Sequence, residues 1–188
     1  AHPRLGDHVK RRNFLKTTAA VAGGLFVGCG DSAPGEEGDG GDALADGAAY
    51  FPQSVASGDP RPDGVILWTR VEDPSAGDAA LALELELSVG ESFAEPVMLD
   101  GAASLGVVAE AAFDRCVKVR VTALSAGQTY FYRFIYDLDG TRYTSRVGRF
   151  KTAPAADDDA EVRFAVVSCQ DLVGKHYNVY RRLAEEDL

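Results

Sequence analysis

Cys169 closes the run Val162-Arg163-Phe164-Ala165-Val166-Val167-Ser168 and is followed by Gln170. A thiolate in that position can ligate a transition metal or attack as a nucleophile. Lys175 and His176 are the nearest groups that could activate it, from across a loop. The other two histidines stand at positions 2 and 8, which excludes a histidine-rich zinc cage from the middle of the chain. Three cysteines, Cys29, Cys116 and Cys169, are too few for a disulfide scaffold. Cys116 begins an alternation with valines and reads as a small packed hydrophobe or an unpaired surface thiol. Asp157-Asp158-Asp159 lacks the alternate-residue ligands and the closing Glu of a calcium loop, so it reads as solvated linker.

The elements that would hold Cys169 follow from pattern. Residues 162–170 read as a buried strand ending in a polar loop. Residues 175–187 read as a helix with Tyr177, Tyr180, Leu183 and Ala184 on one face. His176 falls at the helix start, as a surface or capping residue. Strand, loop and helix open an α/β unit, and sites in such folds gather at the carboxyl ends of strands. Residues 153–161 form an acidic connector and a domain boundary.

Residues 50–152 are a different text, of short alternating runs between turn residues. Residues 65–71 (Val-Ile-Leu-Trp-Thr-Arg-Val) have a buried-strand pattern, with Trp68 as a core anchor. Residues 81–89 and 116–121 alternate apolar and polar at period two. Residues 130–136 and 141–151 form two strands around the turn Asp137-Leu138-Asp139-Gly140. Five or more strands so spaced, with little helical periodicity, predict a mainly β fold: an antiparallel β-sandwich. Leu124-Ser125-Ala126-Gly127-Gln128-Thr129-Tyr130 resembles the corner of fibronectin-III and immunoglobulin-like domains. There a tyrosine hydroxyl bonds back to the backbone upstream, and Tyr130 is the candidate.

The first fifty residues carry charge in blocks. Residues 1–16 hold five Lys/Arg and one Asp, and residues 30–49 hold six acids, six glycines and no base. Between them lies an uncharged run, 17–28, whose twelve residues span about 18 Å as a helix, short of the roughly 30 Å of hydrocarbon. A signal-peptide core is therefore expected, not a transmembrane helix. Arg11-Arg12-Asn13-Phe14-Leu15-Lys16 resembles the twin-arginine export signal, with Arg11, Arg12, Phe14 and Leu15 carrying the likeness and Lys10 departing from it. Phe26-Val27-Gly28-Cys29 resembles a lipobox, with Leu25 one residue early, which makes Cys29 the lipidation candidate. The acidic glycine-rich stretch 30–49 then reads as a tether. A net charge of −10 excludes a nucleic-acid binder.

Phe51-Pro52-Gln53-Ser54-Val55-Ala56-Ser57-Gly58-Asp59-Pro60-Arg61-Pro62-Asp63-Gly64, running on through Val65 to Arg70, resembles the start of the N-terminal domain of the alkaline phosphatase D (PhoD-like) family. Read as local structure, Ser57-Gly58-Asp59-Pro60 and Pro62-Asp63-Gly64 are turn residues that launch the next strand. Residues 164–170 and 180–187 resemble the first strand and helix of that family's catalytic domain. The resemblance implies a metal-dependent hydrolase of phosphate esters, holding Fe3+ beside Ca2+, with Cys169 as a ferric ligand. It implies that the remaining ligands lie beyond Leu188, and Ala1 is not a Met, so the chain is expected to be a fragment without phosphatase activity of its own. The expected domains are thus a twin-arginine signal at 1–29 ending in the lipidation candidate Cys29, a tether at 30–49, a sandwich at 50–152, a linker at 153–161 and the opening of a metallophosphatase domain at 162–188. The expected partners are a phosphate-ester substrate, the twin-arginine translocase and a membrane lipid anchor, for a monomer exported to the periplasm, the outside or the outer face of a membrane. The alternative is a non-catalytic, lipid-tethered adhesion or carbohydrate-binding module, which the sandwich alone would favour.

Overall fold

The alternation in Leu81-Ala82-Leu83-Glu84-Leu85-Glu86-Leu87 commits one face of a strand to the interior. In the computed structural model, which describes residues 43–168 and 176–186, Leu81, Leu83, Leu85 and Leu87 are all buried. Each contributes about 2 kcal/mol of transfer free energy to the core. This strand, β4 (Leu81–Ser88), lies between β5 (Ser104–Ala109) and β7 (Thr129–Leu138), antiparallel to both. β7 also pairs with β8 (Thr141–Thr144) and β9 (Gly148–Lys151), and β8 pairs in parallel with β1 (Ala45–Asp46). The result is a six-stranded sheet ordered β1-β8-β7-β4-β5, with β9 on β7. A second sheet has the order β2-β3-β6, from β2 (Val55–Arg61), β3 (Gly64–Arg70) and β6 (Cys116–Val121). Leucines of β4, aromatics of β7 and Val65, Leu67, Val117 and Val121 of the second sheet share one core. That is the expected sandwich.

Tyr130 makes the expected corner: its hydroxyl accepts a 2.9 Å hydrogen bond from the Ser125 N–H. The β7–β8 turn is also as read. Asp139 and Gly140 have φ of 52° and 82°, the two left-handed positions of a type I′ hairpin.

Several expectations change. Trp68 is not a core anchor: Val65, Leu67 and Thr69 point inward, and Ile66, Trp68 and Arg70 lie half-buried on the outer face. A strand rich in apolar residues on both sides does not reveal by pattern which side packs. Ser57-Gly58-Asp59-Pro60 is not a turn but the body of β2, whose register shifts between Gly58 and Arg61, and the chain reverses at Pro62-Asp63. Pro60 is tolerated because β2 is an edge strand. The strand expected over 141–151 is split into β8 and β9. Residues 145–147 face two residues of β7, a bulge in which the Ser145 hydroxyl accepts from the Phe134 N–H at 3.0 Å. Folded structure also starts earlier than residue 50, because Ala45 and Asp46 pair with Tyr143 and Thr144.

Residues 161–168 form no strand, and Val162, Phe164 and Val166 are 67%, 77% and 82% exposed. A buried strand needs hydrogen-bonded neighbours, and no described strand pairs with this one. The helix expected over 175–187 is α1 (Asn178–Ala184), with no buried residue. Tyr177 and Tyr180, placed on one face as expected, meet edge to face at 5.2 Å.

Candidate functional site

Cys169, the candidate metal ligand, lies outside the described residues, as does Lys175. So do Arg11, Arg12, Phe14, Leu15 and Cys29. His176 is described, exposed just before α1, where its carbonyl accepts from the Asn178 N–H at 2.8 Å. Among the described residues no three His, Cys, Asp or Glu side chains converge as a metal site would require. Cys116 is a half-buried free thiol, paired in register with Arg70.

The sandwich gathers polar groups instead at one end of β3. Asp73 is 4% exposed. Its Oδ1 accepts from the N–H and hydroxyl of Ser75 at 2.9 and 2.6 Å, and its Oδ2 from the Tyr136 hydroxyl at 2.7 Å. The Ser75 hydroxyl, followed by the Tyr136 hydroxyl, holds the Asp73 carboxyl below the usual carboxylate range. Burial, reinforced by Asp73, pushes Tyr136 up to about 12. Tyr50 packs edge-on against Tyr136 at 5.4 Å and tilts onto Tyr143 at 4.6 Å. A carboxylate with three donors is spoken for, and it stays charged at neutral pH. It anchors the turn after β3 and is not poised to move a proton.

Two arginines brace the same corner. Arg70 grips Asp114 with a two-pronged pair, Nε–Oδ2 at 3.0 Å and Nη2–Oδ1 at 2.9 Å, and also reaches Glu72 and Gln53. Each raises or lowers the other's pKa in the expected sense: Arg70 is raised by Asp114, and Asp114 is lowered by Arg70. Arg115 donates to the carbonyls of Asp73, Gly77 and Ala79. Asp114 and Arg115 both sit at positive φ, 54° and 51°. This backbone turn lets one side chain face β3 while the next faces the 73–79 loop. Sequence reasoning missed this cluster. Its one local signal is Asp73-Pro74-Ser75, in which an Asp bonds the backbone two residues on.

The third constructed region is where the chain leaves the sandwich toward Cys169. Thr152 is 2% exposed. Its hydroxyl accepts from the Gln128 N–H at 2.9 Å and donates to the Ser125 carbonyl at 2.7 Å. Gly127 donates to the Ala153 carbonyl at 3.0 Å, and Ala153 donates to that of Arg61 at 3.2 Å. The start of the expected linker is therefore fastened to the tyrosine corner and to the β2–β3 turn. Beyond it a groove opens between β9 and the returning chain, lined among others by Pro60, Arg149, Lys151 and Phe164.

The sandwich and its exit have counterparts among known proteins. The family model described as PhoD-like phosphatase, N-terminal domain, matches residues 39–154. Alkaline phosphatase D of Bacillus subtilis (strain 168) is 32% identical over 144 residues, covering 73% of this chain and 23% of that protein. A solved structure of PhoD superposes with a TM-score of 0.63 at 32% identity, covering 78% of this chain and 27% of that one. The chain thus spans about a quarter of the length of the relatives it matches. It belongs to the PhoD-like phosphatase family, and residues 39–154 match that family's N-terminal domain.

Proposed function

We propose that the chain is the amino-terminal part of an exported, metal-dependent phosphoric ester hydrolase. The observation that carries this reading is the extent of the likeness to alkaline phosphatase D. At 144 residues it runs beyond the span of the N-terminal domain, 39–154. An adhesion or carbohydrate-binding sandwich gives no reason for such continuation.

In this reading Cys169 supplies a thiolate ligand to ferric iron, with calcium alongside, and the other ligands come from the rest of the whole protein. Thiolate is a suitable donor for iron. Metal bound there would lower the pKa of water and take up charge on the phosphoryl oxygens. The residues of this chain act by position. Thr152 and Ala153 fix the direction in which the backbone leaves the sandwich, and the segment that reaches Cys169 starts from that fixed point. The 188-residue polypeptide alone contributes one candidate ligand and is inactive.

Arg11, Arg12, Phe14 and Leu15 direct export through the twin-arginine translocase, and Cys29 is the site at which lipid anchors the mature protein. A tether of acids and glycines then stands the sandwich off a negatively charged surface. The test is hydrolysis of a phosphate monoester and a phosphate diester by the whole protein, before and after chelation of its metals. Turnover that is lost on chelation and returns with iron and calcium is expected. Full turnover in metal-free protein would overturn the reading.

A further inference from the structure

We infer that β5 is a pairing edge for a second copy of this chain. β5 closes the six-stranded sheet: its register with β4 runs unbroken from Leu81↔Ala109 to Glu86↔Ser104, and no described strand is hydrogen-bonded along its other side. Backbone N–H and C=O groups on that side face outward without ladder partners.

The other edges among the described strands each carry a device against pairing. β1 is two residues long. β2 contains Pro60 and a register shift between Gly58 and Arg61. β6 presents exposed Lys118 and Arg120, and four-residue β9 presents exposed Arg149 and Lys151. Short length, proline, irregularity and outward basic residues are the features that keep edges from templating a neighbour. β5, Ser104-Leu105-Gly106-Val107-Val108-Ala109, has no charge, no proline and no register shift.

β5 is also complementary to itself. Two copies related by a two-fold axis through Val107, normal to the sheet, pair antiparallel with Val107 opposite Val107 and Gly106 opposite Val108. This register keeps core-facing residues on one side and outward residues on the other. Val108 is 60% exposed. Gly106 has open space where a Cβ would stand, with nothing within 4 Å. The valine of each copy therefore seats over the bare glycine of the other, an isologous contact made twice. Each chain carries a net charge of −10, so the bodies repel while the strands do not. Association should therefore strengthen as salt is raised, the opposite of a charge-driven contact.

Sedimentation velocity over a concentration and salt series tests this on the 188-residue chain, with Val108→Lys and Gly106→Glu beside the unaltered protein. The expected result is a reversible monomer–dimer equilibrium favoured by salt, weakened about tenfold or more by either variant. At concentrations low enough for the unaltered chain to be monomeric, both variants should keep its thermal midpoint, since both side chains enter open space. A monomer at every concentration overturns the inference, and so does a folded variant that associates as tightly as the unaltered chain. Association through another part of the molecule would give that second result.

Discussion

The Tyr130 hydroxyl accepts a 2.9 Å hydrogen bond from the backbone N–H of Ser125, five residues upstream. That bond ties the start of β7 to the turn that also receives Thr152, so one corner stabilises the sandwich and fixes its exit. Tyr130→Phe keeps the ring, stacked on Phe150 at 5.5 Å, and removes only the acceptor. A loss of about 1 kcal/mol is expected, read as a fall of roughly 4–8 °C in thermal midpoint for a domain of about this size. An unchanged midpoint would contradict the assignment of the corner.

Thr152→Val leaves the Gln128 N–H without its side-chain acceptor and the Ser125 carbonyl without its donor, in a position 2% exposed. The expected cost is about 1–3 kcal/mol. It should be accompanied by faster hydrogen exchange at Gly127 and Ala153, whose amides close the same exit. Retained protection there would show that the exit is held by something other than Thr152.

Gly148 and Gly106 make a matched pair. A Cβ on Gly148 would meet the Tyr132 ring at 2.4 Å, and a Cβ on Gly106 would meet nothing within 4 Å. Gly148→Ala should destabilise by about 1–3 kcal/mol, the cost of overpacking. Gly106→Ala should stay within about 0.5 kcal/mol of the unaltered chain. Urea denaturation of the two variants side by side checks the order, and equal midpoints would contradict it.

Tyr136 and Asp73 set opposite pH limits. Tyr136 is raised from 10.0 to about 12, so the unfolded chain ionises first, and the stability it contributes below pH 10 is lost as pH climbs toward 12. Asp73 is lowered, so its contribution is present above the ordinary carboxylate range and is lost as pH falls through the folded value. Tyr136→Phe should flatten part of the alkaline loss, leaving the part due to Tyr132, which burial also raises to about 12. An alkaline limb unaltered by Tyr136→Phe would show that Tyr136 does not set it.

Local signals carried much of this fold. The leucines of β4 alternate because one face is buried, Asp139-Gly140 supplies the two positive φ values its turn needs, and Tyr130 stands at the right spacing after its corner. What stayed hidden depends on partners distant in sequence. Asp73 and Tyr136 meet across sixty-three positions, and Arg70 and Asp114 across forty-four. The inward side of β3 is decided by Val117 and Val121 on β6 and by the other sheet, so the strand's own pattern misplaced Trp68. β5, with a glycine and a serine among its apolar residues, has too weak an alternation to be read alone. For the candidate site the sequence offers one residue, Cys169, on the strength of its resemblance to the family's motif, and that residue lies outside the described part of the chain.

On the proposed reading, Cys169 holds iron in the whole protein. Metal analysis of the purified whole protein, unaltered and as Cys169→Ala, tests this most directly. Bound iron is predicted in the first and its loss in the second, together with most of the turnover, while the sandwich keeps its thermal midpoint. Iron retained at the unaltered stoichiometry in Cys169→Ala would contradict it.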